Sequence, residues 1–169
     1  FPARSRRALQ AIQRGAEKNR GATPLQAKKI MICFYHNDLD GRCSAAIVLR
    51  ALKNGRAIEL AYGRPIPTDI VAQGEKIVIV DYSVPPETMR IFLERTNDIT
   101  WIDHHQSALR INYPIKPAGT LSLEKAACEL TWYFFYPGKP APEAVLLTGD
   151  KDIWTWRYGQ RTALFNEGI

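Results

Sequence analysis

A chain of 169 residues that is 46% hydrophobic and 24% charged has the length and composition of one globular domain with a real core. No apolar run approaches the ~20 residues needed to cross a bilayer, and no apolar core follows the basic amino end, which argues against a membrane protein and against a secretory leader. Cys33, Cys43 and Cys128 are scattered, odd in number and set among apolar residues, so they read as reduced thiols of a cytoplasmic protein and not as a disulfide frame or a Cys-based zinc site.

The net charge of +6 is uneven. Residues 1–29 hold Arg4, Arg6, Arg7, Arg14, Lys18, Arg20, Lys28 and Lys29 against Glu17 alone, leaving a nearly neutral body. Such a leader suits attraction to a polyanion, although a solubilising tail has the same composition. No aromatic residue is interleaved with these charges, which argues against base stacking there. The expected organisation is a basic amino-terminal extension over 1–28, helical or flexible, followed by one globular domain over 29–169.

Within the extension, residues 3–19 have a thin helical face and 21–24 read as a linker. The run 30–35 predicts a buried strand, 44–52 a helix that stops near Asn54-Gly55, and 57–62 a second strand. A third strand spans 76–80 and ends at Asp81; Pro85-Pro86-Glu87 then opens a helix to about Thr96. Residues 99–102 give a fourth strand, and 106–120, with Pro114 and Pro117, read as loop. An apolar helix over 123–135, a break at 137–142 and a helix over 143–148 lead into Gly149-Asp150-Lys151-Asp152. Strands alternating with helices predict an α/β fold, a doubly wound, mostly parallel sheet of about five strands.

The chain has three histidines, and all fall after strand-like runs. His36 opens His36-Asn37-Asp38-Leu39-Asp40-Gly41, and the other two stand in Asp103-His104-His105. With Asp81 and the Asp150/Asp152 pair they make four clusters of carboxylate and imidazole at element ends. The carboxyl ends of neighbouring parallel strands converge on one edge, where open α/β sheets bind ligands. Carboxylates gathered there repel unless protonated or neutralised by cations. Carboxylates with a minority of imidazoles suit Mn²⁺ or Mg²⁺, and enough ligands for two ions with one bridging carboxylate suit in-line attack at phosphorus. Asp38 and Asp40, as alternate residues, can project together from an extended segment. Each cluster also has a structural explanation. Asp38 and Asp40 can cap the following helix, Asp81 can cap the helix after Pro85, and His36 can be a satisfied core histidine. Capping does not explain histidines and aspartates collected together at strand ends.

With these four motifs in order over about residues 30–155, the sequence resembles the DHH phosphoesterase superfamily, which includes RecJ-type exonucleases and oligoribonuclease-like phosphodiesterases. The motifs are His36 to Gly41 with Ser44-Ala45, Val80-Asp81-Tyr82-Ser83, Asp103-His104-His105, and Gly149-Asp150-Lys151-Asp152-Ile153-Trp154. The resemblance implies a phosphoesterase dependent on two metal ions, usually manganese, with magnesium as a substitute. It implies His36 and Asp38 on one ion, Asp40 and His104 on the other, and Asp81 bridging. Asp152, favoured over Asp150 because Asp-Ile-Trp resembles the Asp-Thr-Trp of oligoribonuclease-like members, would complete the second ion. His105 is implied to contact the scissile phosphate, and Asp103 to orient an imidazole. RecJ-type members share the compact spacing of the first motif but usually carry aspartate where His36 stands.

The resemblance also implies a second, carboxyl-terminal substrate-binding domain with a glycine-rich, histidine-containing motif. No such motif occurs up to Ile169, so the chain is expected to be a minimal member, a piece of a longer chain, or one whose partner completes the cleft. The expected substrate is short or single-stranded nucleic acid, with cyclic dinucleotides and polyphosphate or pyrophosphate as rivals within the class. From another class, a non-catalytic nucleic-acid-binding or scaffold protein would be expected to have lost metal ligands. A phosphoacceptor domain of the response-regulator type would leave the paired histidines unexplained and lacks a convincingly placed lysine, Lys151 being the candidate.

Overall fold

The computed structural model describes residues 30–111, 113 and 117–168. The expected basic extension, its helix over 3–19 and its linker lie outside the described residues. Five strands form one parallel sheet: β1 (Met31–His36), β2 (Gly55–Leu60), β3 (Lys76–Val80), β4 (Ile99–Asp103) and β5 (Ala118–Leu121), in the order β2-β1-β3-β4-β5. Helices α1 (Leu39–Leu52), α2 (Pro86–Arg95), α3 (Gln106–Arg110), α4 (Ala127–Phe135), α5 (Glu143–Asp152) and α6 (Gln160–Glu167) complete the described fold, with a short 3-10 turn at Thr68–Ile70. This is the α/β architecture that the alternation of strands and helices predicts.

The central strands are apolar on both faces, as parallel strands covered on both sides must be. Period-two alternation divides them. Ile32, Phe34, Ile77, Ile79, Ile99 and Trp101 pack with Met89 and Phe92 of α2 on one face. Met31, Cys33, Val78, Val80 and Ile102 pack with Ala45 and Val48 of α1 and Leu130 of α4 on the other. A further cluster of Ile47, Cys128, Trp132 and Val145 seats α5 on α1 and α4. Cys33 and Cys128 are buried, and all three cysteines are free thiols. No helix among the described residues is long and apolar enough to cross a membrane.

Several boundaries differ from expectation, and the strand expected over 57–62 runs over Gly55–Leu60. Helix α1 begins at Leu39 and not at Ser44, because the Asp38 carboxylate accepts from the Gly41 amide at 2.9 Å and caps the helix. Asp38 and Asp40 therefore do not project from one extended segment: the first is the cap and the second lies in the first turn. The stretch expected to be loop contains α3 and the edge strand β5. That strand has no apolar alternation and exists through its pairing with β4, where Gly119 faces Trp101. A Cβ on Gly119 would stand 2.0 Å from the Trp101 carbonyl oxygen, so the pairing requires glycine. The apolar helix expected over 123–135 starts only at Ala127, and the helix expected to end at Thr148 continues to Asp152. The last motif thus lies in the final turn of the expected helix and not after it.

Gly41 holds α1 against the end of β1. A Cβ there would lie 2.1 Å from the His36 carbonyl oxygen and 2.8 Å from its carbon, both backbone atoms. Gly41→Ala must push the helix off the strand end. The expected result is a loss of about 1–3 kcal/mol in thermal unfolding, the usual scale of overpacking, together with a smaller stabilisation by added Mn²⁺, since both ends of the displaced contact carry candidate metal ligands.

Candidate metal centre

Strand order brings three motifs to one edge. Tyr35 pairs with Val80 and Val80 with Ile102, so His36, Asp81 and Asp103 come level at the carboxyl ends of adjacent strands. The chain runs from β1 outward to β2 and then back past β1 to β3, which makes this gap the switch point of the sheet.

Asp81 sits at the centre. Its side chain is 1% exposed, and neither carboxylate oxygen has a hydrogen-bond partner. One oxygen, Oδ2, lies 3.7 Å from His36 Nδ1; the other, Oδ1, lies 3.2 Å from His104 Nε2. Its backbone is left-handed (φ 55°), fixed by its amide donating to the Ile102 carbonyl at 2.9 Å. Such a conformation in a residue other than glycine is held by surrounding structure and is concentrated at functional sites. Asp81 does not cap α2, whose N-cap is Pro85.

Around Asp81 two clusters form, each with ligand atoms within 4.8 Å of one another: His36, Asp38 and Asp81, and Asp40, His104 and Asp152. In the first, His36 Nδ1 meets Asp38 Oδ2 at 2.7 Å, so Asp38 is both helix cap and cluster member. In the second, His104 Nε2 lies 3.7 Å from Asp40 Oδ2 and 3.2 Å from Asp152 Oδ2. Asp40 also accepts from the amides of Ala127 and Cys128 at 2.8 and 2.7 Å. It therefore caps α4 from α1, where the local N-cap residue, Ala126, has no side chain to do so. A third grouping, Asp81 with His104 and His105, counts the His105 Nδ1 atom, 3.8 Å from Asp81. That atom is already bonded to Asp103 Oδ1 at 2.7 Å.

Asp103 and Asp150 have other roles. Asp103 accepts from the amides of His104 and His105 and from Ser83 Oγ, as well as from the His105 ring, which fixes that imidazole. Ser83 Oγ in turn lies 2.7 Å from Ser107 Oγ. Asp150 accepts from Thr155 and Thr162 hydroxyls and from the amides of Arg157 and Tyr158, so both its oxygens are spent on the loop that follows α5. Asp152 has no such partners and turns toward His104. Lys151 is exposed on α5 and not at a strand end.

The electrostatics divide the carboxylates the same way. Burial, then the charges of Asp40 and Asp38, push Asp81 up to about 11. Burial and the same two neighbours push Asp152 up to about 7. Asp152 is also the last residue of α5, where the partial negative charge of the helix end opposes an anion and favours a cation. Burial raises Asp40 despite its two amide donors. Burial would raise Asp38 and Asp150 too. In Asp38 it is outweighed first by the Gly41 amide and in Asp150 first by Thr155, so both carboxyls lie below the ordinary range. His104 is lowered by burial, whereas His105 is raised, first by its hydrogen bond to Asp103.

Several neighbours were not legible as site residues in the sequence. Tyr62, two residues past β2, stacks on Tyr82 at 4.5 Å between centroids and lies 5.1 Å from the His36 ring and 6.1 Å from that of His105. Its position past a strand end was the available signal. Ser107 carried no signal beyond standing beside a motif, and Trp154 was read only as the end of the fourth motif, without a role of its own.

The donor set fits divalent cations. A buried carboxylate with two unpartnered oxygens, flanked by three more carboxylates and two imidazoles, is costly alone and matched by ions that prefer oxygen with some nitrogen.

Among known proteins, residues 29–150 match the model of the DHH family, N-terminal domain. An uncharacterized protein of Acanthamoeba polyphaga mimivirus, R106, is 26% identical over 89 residues, covering 52% of this chain and 21% of that protein. An uncharacterized protein from Helicobacter pylori G27 superposes with a TM-score of 0.58 at 18% identity, over 76% of this chain and 45% of that one. The exonuclease RecJ bound to manganese superposes with a TM-score of 0.52 at 16% identity, over 72% of this chain and 37% of RecJ. The chain thus spans less than half the length of each of these proteins, and the structural likenesses are likenesses of fold. With the family model covering most of its length, and the four motifs in order, the chain belongs to the DHH family and carries its N-terminal domain.

Proposed function

We propose that this protein is a hydrolase that cleaves phosphoester bonds with two divalent cations, Mn²⁺ or Mg²⁺, and that its substrates are short or single-stranded nucleic acids. The observation that carries the reading is Asp81: buried, unpartnered, and presenting one oxygen to each of two ligand clusters. His36 and Asp38 would hold one ion, Asp40, His104 and Asp152 the other, and Asp81 would bridge them. When bound, such ions neutralise phosphate charge and acidify water at neutral pH.

The chain's own residues would do the rest. Asp103 holds the His105 ring through Nδ1, leaving Nε2 as the free nitrogen. The same contact raises the proton affinity of His105, which suits an imidazolium that pairs with a phosphate oxygen and gives a proton to the leaving group. The low proton affinity of His104 suits a neutral ligand. Asp40 keeps its geometry because two amides of α4 fix it. A binding-only protein on this fold would have no use for so expensive a cluster, and every motif position is filled.

Mn²⁺-dependent cleavage of a labelled short RNA, run beside a cyclic dinucleotide and tripolyphosphate, tests the reading. His104→Ala is expected to lower kcat/KM by at least about a hundred-fold with weakened metal binding. His105→Ala is expected to lower kcat by a comparable factor while metal affinity is retained, since general acid catalysis contributes roughly 10²–10⁴-fold. Absence of both turnover and Mn²⁺ binding would refute the proposal.

The metal-free protein gives a second test. An unfolded Asp81 ionises near the ordinary carboxylate value, whereas folded Asp81 keeps its proton up to about 11. The folded state therefore binds more protons between those limits, and stability must fall as pH rises. Asp152 acts in the same sense up to about 7. Thermal unfolding in EDTA between pH 5 and 8 is expected to show a downward slope that Asp81→Asn makes shallower, by at most roughly 1.4 kcal/mol per pH unit. Because ions replace protons, stabilisation by Mn²⁺ should grow with pH in the wild type and be largely lost in Asp81→Asn. Equal slopes in the two proteins would show that Asp81 does not carry this charge.

A further inference from the structure

Trp154 is 71% exposed, the most exposed large hydrophobic side chain among the described residues. It lines a cleft of about 280 Å³ together with Asp38, Asp40 and Asp152 of the candidate metal centre, Leu39, which is 46% exposed, and Lys151. The cleft therefore joins an apolar, aromatic part to the carboxylates where a phosphate would sit.

The backbone that presents the ring is unusual. Trp154 and Trp156 both have left-handed backbones, φ 60° and 52°, a region that bulky side chains avoid. Asp150 holds them there: its carbonyl accepts from the amides of Thr155 and Trp156, and its carboxylate binds Thr155, Arg157, Tyr158 and Thr162. Arg157 also reaches buried Glu129 at 3.3 Å. Trp156 meets the Trp154 ring edge to face at 5.1 Å and sets its plane. A buried carboxylate thus maintains a strained loop whose outcome is an indole fixed in solvent beside the metal ligands. Packing gives no reason for it, because the ring is largely uncovered.

We infer that Trp154 is a stacking platform for a nucleobase, so that the site takes nucleotide phosphoesters in preference to inorganic polyphosphates. The inference rests on the function proposed above and narrows its substrate. Every base offers a π face to an indole, and Leu39 adds an apolar wall. Inorganic polyphosphate has no planar face, and it would meet Lys151 as the single cationic side chain among the residues lining this cleft.

Calorimetric titration of the Mn²⁺-loaded full chain with adenosine monophosphate and with inorganic phosphate tests this without requiring turnover. The wild type is expected to bind the nucleotide at least about ten-fold more tightly than phosphate, the lower range of a base–aromatic stack. Trp154→Ala should erase that margin while phosphate affinity stays the same, and Trp154→Phe should keep most of it. The nucleotide should also quench tryptophan fluorescence in the wild type and much less in Trp154→Phe. Equal affinity for the two ligands in the wild type, or equal weakening of both in Trp154→Ala, would overturn the inference while leaving the metal centre intact. Failure of the functional reading looks different: no Mn²⁺-dependent phosphate binding, and no effect of Asp81→Asn on it.

Discussion

The structure turns on one buried carboxylate that has no hydrogen-bond partner and faces two imidazoles. Asp81 directly follows the central strand β3, between the ends of β1 and β4, and neither oxygen has a hydrogen-bond partner. Burying a charge without a partner is among the costliest things a fold can do, and protonation or a cation is the available relief. The left-handed backbone at Asp81 adds to that cost. The surrounding sheet is apolar on both faces and tightly filled, and this is what holds so unfavourable a group in place. The core stabilises; the centre spends some of that stability on holding ligands in advance.

The aspartates of this edge fall into two kinds, and hydrogen bonding tells them apart. Asp103 and Asp150 have their oxygens filled by amides, hydroxyls and, for Asp103, a ring nitrogen; they order what lies next to them. Asp81 and Asp152 have oxygens facing imidazoles and no amide or hydroxyl, and burial, then the charges of Asp40 and Asp38, raises their proton affinities. Asp38 and Asp40 stand between: each caps a helix and each faces a cluster. Capping and metal binding are therefore not competing explanations for these two residues. A carboxylate has enough lone pairs for both, and the amide bonds fix it in position for a second ligand.

How much of this was legible in the sequence depends on the range of the forces involved. Strands β1, β3 and β4 announced themselves through apolar runs, and the residues that follow them were legible as a site because parallel strands share an edge. Strand β5 was not legible. Its Ala-Gly-Thr-Leu carries no alternation, and only the neighbouring strand makes it a strand. The start of α1 was misjudged because Asp38 was weighed as a ligand or a cap, when it caps the helix and also faces a candidate metal cluster. Motif four was expected just after a helix, and it forms the last turn of that helix, which runs on to Asp152 and not only to Thr148. The Asp150 clamp spans twelve residues to Thr162, and the Asp40 cap spans 88 residues to Cys128. Neither has a sequence signature, because each depends on how helices pack.

That the fourth motif comes from a helix follows from the shape of the problem. Three adjacent strand ends supply candidate ligands along a line, and a cation needs donors from more than one side. The remaining side must come from the layer above the sheet. Helix α5 rests on α1 and α4 through Ile47, Trp132 and Val145. The cap that Asp40 places on α4 ties that layer to the first motif, so one residue both faces the second cluster and fixes the helix that supports Asp152. The loop after Asp152 inherits this placement, and that is why an exposed indole can be held beside carboxylates that begin more than a hundred residues earlier in the chain.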